Sequence, residues 1–141
     1  MKILYGILTL LLSIQSFSPA NADAFAEKMS AHYGYSLRYE VRNIGTWLGA
    51  TVATNNVCTT QVYLSDQFLG ELGNDDLWKG VLAHEWAHTL QGSKCVNNEY
   101  NAEKMALQKL REARELSAYI RYAIFLQEKW GWTEEECYGV N

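Results

Sequence analysis

His84-Glu85-Trp86-Ala87-His88 is the stretch of this 141-residue chain whose residue types and spacing most directly imply chemistry. Histidines four apart on a helix project from one face, one turn above the other, so both imidazoles can grip a single metal ion. Imidazole nitrogen suits Zn²⁺. Two such ligands leave room for a third protein ligand and a water, the open coordination of a catalytic centre. The ion would lower the pKa of that water, and Glu85 is placed to take its proton and hand it to a leaving amine. The chemistry implied is metal-assisted hydrolysis of a peptide bond.

A third ligand is needed. The residues after His88, Thr89-Leu90-Gln91-Gly92-Ser93-Lys94-Cys95, contain no histidine, and the glycine is one place late for a His-x-x-Gly-x-x-His continuation. A downstream carboxylate must therefore serve, and Glu99 and Glu103 open a helix that returns beside His88 after a short loop. Glu99 is the favoured ligand. Glu103, one turn further on, is the alternative, or else it fixes the tautomer of a ligand histidine by accepting its hydrogen bond. Tyr119, Tyr122 and His32 are candidate donors to a developing oxyanion. Trp78 and Trp86 read as packing residues.

The elements that must position these groups follow from periodicity. Leu77, Trp78, Val81, Leu82, Trp86 and Leu90 form a helical stripe, with Asp75 as its N-cap and Gly92 at its end. Ahead of it, Asp23 would cap a short helix through Phe25, Met29 and Tyr33, closed by Gly34. Tyr35, Leu37, Tyr39 and Val41 alternate with polar residues as a strand does. Trp47 to Ala53 and Thr60 to Leu64 are further strand runs separated by an Asn55-Asn56 turn, and Asp66 to Leu72 is a short helical turn. A long helix is predicted from about Asn98 to Lys129, with a bend or break near Ser117, and Thr133 to Glu136 reads as a capping box. The fold class expected is α+β: a small antiparallel sheet packed on the active-site helix and a long C-terminal helix.

Length allows one compact domain. Lys2, the apolar run from Ile3 to Ile14 and the Ala20-Asn21-Ala22 triplet have the pattern of a signal peptide over residues 1–22, which leaves a single domain over residues 23–141. Lys2 is the only charged residue before Asp23, so the remaining chain carries 11 basic against 16 acidic residues, a formal charge of −5. With no basic patch, that balance argues against a nucleic-acid partner. An oxidising compartment would allow Cys58, Cys95 and Cys137 one disulfide and one thiol, with Cys58 and Cys95 the favoured pair. The absence of a Cys-x-x-Cys pair leaves a thiolate zinc ribbon without support.

From Leu48-Gly49-Ala50 through Gln61-Val62-Tyr63-Leu64-Ser65 to His84-Glu85-Trp86-Ala87-His88, the chain resembles the gluzincin metallopeptidases, particularly the CAAX-prenyl-protease and minigluzincin types. Those families follow the histidine motif with Glu-x-x-Ala-Asp. Glu99-Tyr100-Asn101-Ala102-Glu103 matches except that glutamate replaces the aspartate. The resemblance implies a zincin-like fold, Glu99 as zinc ligand, Glu103 behind it, and a strand ahead of the active helix that pairs with extended substrate, for which Thr60 to Leu64 is the candidate. It covers about half of the expected domain. The gap from His88 to Glu99 is short and no membrane helices flank the motif, so prenyl-protein processing is not implied. The expected function is that of an exported, monomeric, zinc-dependent endopeptidase acting on protein or peptide, without stable membrane association after signal cleavage. A cell-wall peptide hydrolase and a non-catalytic metal- or partner-binding module are the alternatives.

Overall fold

A computed structural model describes residues 14–139, so residues 1–13 of the expected signal peptide lie outside the described residues. Helix α1 (Pro19–Tyr33) is capped by Ser18, whose side chain accepts the Asn21 N–H at 3.0 Å. It thus begins ahead of Asp23 and runs through the expected cleavage point, with Ala22 fully buried. Phe25, Met29 and Tyr33 face the core at the predicted steps of four, and the helix stops at Gly34 as expected. The segment before the helix is packed too: Phe17 meets Trp78 edge to face at 5.3 Å, and the Gln15 carbonyl accepts the Trp78 indole N–H.

The alternating run after Gly34 is mostly not a strand. Only β1 (Glu40–Arg42) joins the sheet. From Tyr35 to Tyr39 the chain is bound by side chains instead: Ser30 Oγ accepts the Leu37 N–H and the Trp86 indole donates to the Arg38 carbonyl at 3.0 Å. Period-two burial here reflects a segment laid across the core, with Leu37 inward. Strands β2 (Gly49–Thr54) and β3 (Val57–Ser65) form the predicted hairpin, turning through Asn55 and Asn56, both with positive φ as a tight hairpin turn requires. The sheet order is β1-β3-β2, with β1 parallel and β2 antiparallel to β3. The expected antiparallel sheet is therefore mixed, and Thr60 to Leu64 lies in its central strand.

Helix α2 (Asp66–Leu72) leads to α3 (Leu77–Gln91), which carries the histidine motif. The N-cap is Asp76 and not the predicted Asp75, which stands one place earlier and accepts the Leu77 N–H at 2.9 Å from outside the helix. Every residue from Leu77 to His88 is buried, because α3 runs through the centre of the molecule with α1, the sheet and two later helices around it. A helix enclosed on all sides needs no polar face. Trp78 and Trp86 are fully buried packing residues, as expected.

The predicted long C-terminal helix is two helices, α4 (Glu99–Glu112) and α5 (Leu116–Trp130). Arg114 takes a left-handed conformation at φ 58°, while the Arg114 and Glu115 N–H groups donate to the Arg111 and Leu110 carbonyls. Those paired bonds are the Schellman stop that glycine usually makes. Tertiary ties hold the break: Glu115 pairs with Lys79 and Ser117 donates to Asp76. Helix α6 (Glu134–Tyr138) carries the predicted capping box. Cys58 and Cys95 are joined, 37 residues apart, a closure that contributes about 4 kcal/mol by chain entropy, and Cys137 is a buried thiol.

Candidate metal centre and cleft

The enclosure of α3 decides which of its groups can reach solvent. His84, Glu85 and His88 are 9 %, 8 % and 5 % exposed, and they open into one cleft of about 770 Å³ between β2, α3, α4 and α5. The return of α4 after the 3₁₀ turn Gly92–Lys94 and the disulfide brings Glu99 to its mouth. His84 Nε2 lies 3.2 Å from His88 Nε2, and Glu99 Oε2 lies 2.9 Å and 3.0 Å from those two nitrogens. Bond lengths of about 2.05 Å at tetrahedral angles would separate zinc ligands by about 3.3 Å. The donor triangle is within a few tenths of an ångström of that. His84, His88 and Glu99 can hold a metal ion.

Each histidine is oriented from behind. Glu103 Oε1 lies 2.7 Å from His84 Nδ1, and Gln91 Oε1 lies 2.8 Å from His88 Nδ1 while Gln91 Nε2 donates to the Asn98 carbonyl. Partners on Nδ1 leave both Nε2 atoms for an ion. Glu103 is thus outside the ligand triangle, and Glu99 inside it. Gln91 is invisible to a motif search, although its place three residues after His88 on the same helix face is a usable signal.

Burial alone would push the His84 pKa down, but Glu103, Glu99 and Glu85 outweigh it and raise it to about 10. His88 is raised as well, chiefly by Glu99 against its burial. Glu99 moves the other way, held well below the ordinary carboxylate range by hydrogen bonds from His84 and His88. The acidic neighbours thus favour positive charge at these two imidazoles.

Glu85 sits beside this triangle with Oε2 3.7 Å from His84 Nε2. Its Oε1 accepts the Thr51 hydroxyl at 2.8 Å, and burial raises its pKa, the direction a proton acceptor at neutral pH needs. Thr51 belongs to β2. That strand comes close because of Gly49, where a Cβ would stand 2.7 Å from Val81 Cγ1 and 3.0 Å from Glu85 Cγ. The strand bordering the cleft is therefore β2, whose far edge is unpaired among the described residues, and not the predicted Thr60 to Leu64, which lies inside the sheet.

The three predicted oxyanion donors are not available. Tyr119 donates to the Cys137 carbonyl, His32 ends α1 away from the cleft lining, and Tyr122 donates to Glu103. Burial pushes the Tyr122 phenol well above its ordinary value, so it keeps its proton. Unpredicted from sequence is an aromatic rim: Trp47 and Trp130 are 71 % and 64 % exposed, and Tyr100 stacks on Trp132 at 4.9 Å. Its members come from three separate parts of the chain, and only folding joins them. Compared with known proteins, the chain matches no family model, no curated sequence and no solved structure.

Proposed function

We propose that the chain is an exported zinc-dependent endopeptidase of gluzincin type, with His84, His88 and Glu99 holding zinc and Glu85 as general base. One observation carries the reading. Two imidazole nitrogens and a carboxylate oxygen converge at zinc-ligand spacing beside a buried glutamate, on the floor of an open cleft. Nitrogen and oxygen donors in a set of three, with a solvent-facing side, suit zinc in a hydrolytic role.

When bound, zinc acidifies a water and polarises the scissile carbonyl. Glu85 takes the proton from the attacking water and delivers it to the departing amine, and Thr51 holds the carboxylate in place for both transfers. The free edge of β2 offers main-chain groups to an extended peptide, a sequence-tolerant way to bind it. The aromatic rim favours bulky apolar side chains, and among the described residues no lysine or arginine lines the cleft. That chemistry suits a polypeptide better than an acidic cell-wall cross-link. Export is supported by the disulfide, and among the described residues no helix is long and apolar enough to cross a membrane.

The test compares native protein with Glu85→Gln for zinc content and casein digestion. Both should carry zinc, and the variant should lose about a hundredfold or more in kcat. Equal cleavage by the two would remove Glu85 from the mechanism. Zinc in both with cleavage by neither would leave a metal-binding module.

A further inference from the structure

Glu103 does not stand alone behind His84. Tyr122, on α5 and 3 % exposed, donates its hydroxyl to the same Oε1 that faces His84 Nδ1. That nitrogen is buried, 2.7 Å from the carboxylate oxygen, and makes no well-angled hydrogen bond among the described residues, so the carboxylate is its ion-pair neighbour. The Tyr122 ring in turn lies directly on the backbone of α3 at Gly80, one turn ahead of His84. A Cβ at Gly80 would stand 2.2 Å from the ring Cδ1 and 2.4 Å from Cγ, so any larger residue displaces the tyrosine.

We propose that Gly80 and Tyr122 are positioning residues of the metal centre, acting on His84 through Glu103. Gly80 clears the space in which the Tyr122 ring lies, and the Tyr122 hydroxyl holds the Glu103 carboxylate beside His84 Nδ1. His84 then keeps its proton on Nδ1 and its Nε2 lone pair for the ion. A carboxylate that is 8 % exposed and lacks its second donor would be free to turn away from the ring. The relay joins three helices: α5 supplies the hydroxyl, α4 the carboxylate, and α3 both the imidazole and the gap. It rests on the metal-centre reading above.

The test uses Tyr122→Phe, which keeps the ring and removes only the hydroxyl. Chelator competition should show zinc bound about five- to tenfold more weakly than by native protein, the effect of losing one buried hydrogen bond. In the zinc-loaded proteins, long-range proton–nitrogen spectra should show His84 carrying its proton on Nδ1, exchanging slowly in the native chain and faster in the variant. A residue that served packing alone would change neither. Gly80→Ala should also weaken zinc, and adding Tyr122→Phe to it should cost little more, because both act through one hydroxyl. Equal zinc affinity in native protein and Tyr122→Phe would overturn the relay, as would a native His84 protonated on Nε2. Native protein that binds no zinc would instead overturn the metal centre itself.

Discussion

Helix α3 carries two buried clusters of charged and polar groups less than two turns apart, and they differ in kind. At its first turn, Lys79, 2 % exposed, is held by Glu115 Oε2 at 3.0 Å and Gln15 Oε1 at 2.9 Å. There a cation meets an anion and an amide, and Lys28 takes the other oxygen of Glu115 at 3.1 Å. In the second cluster two imidazole nitrogens and one carboxylate oxygen, from His84, His88 and Glu99, converge within 4.8 Å of one another. That arrangement is satisfied only by a proton or a metal ion. Burial of charge is common to both clusters and so does not mark a site. An unmatched set of acceptors opening on a cleft does.

The sharpest test of this contrast removes a ligand. His88→Ala or Glu99→Ala should lose well over a hundredfold in zinc affinity, whereas Glu103→Ala should lose about 10- to 100-fold as an outer partner. Chelator competition gives the order, and the reverse order for the two glutamates would exchange their roles. Breaking the first cluster should act on the fold instead. Lys79→Met strips Glu115 of its buried counter-charge and should lower unfolding stability by about 3 kcal/mol in a denaturant titration, with zinc affinity unchanged. If zinc affinity fell too, the clusters would be one network.

The smallest effect is a pH slope. In metal-free protein the His84 pKa is raised to about 10, so its contribution to stability is full below its ordinary value of 6.5 and is lost as pH rises toward 10. The melting temperature should therefore fall by a few degrees across that range, and His84→Asn should flatten the decline. On the acid side Glu99 is depressed, so its contribution is present above its ordinary value of 4.5 and is lost as pH falls below it.

What could be read in advance depended on how local the physics was. The convergence of His84 and His88, the Asn55-Asn56 turn and the Thr133 capping box are each decided within a few residues, and each is found where the spacing places it. Glu99 rather than Glu103 joins His84 and His88 because α4 returns soon after α3, whereas the Cys58 to Cys95 pairing also needs β3 beside that return. The misreadings arose where distant groups replaced local ones. Arg114 ends α4 in a conformation that sequence assigns to glycine, with Glu115 and Ser117 anchored on α3. Trp86 takes the Arg38 carbonyl that a neighbouring strand would otherwise have bonded. Tyr122 spends its hydroxyl on Glu103, a partner no one-dimensional pattern indicates.

The course of α1 through Ala22 has a consequence for the order of events in the cell. Processing enzymes bind their targets as open, extended backbone, yet here the bond following Ala22 is wound into a helical turn with its alanine sealed beneath the surface. Any scission at that point has to happen before the domain closes around Ala22. Once the domain closes, Ser18, Phe17 and Gln15 are locked to the same body as the chelating helix, and the opportunity is gone.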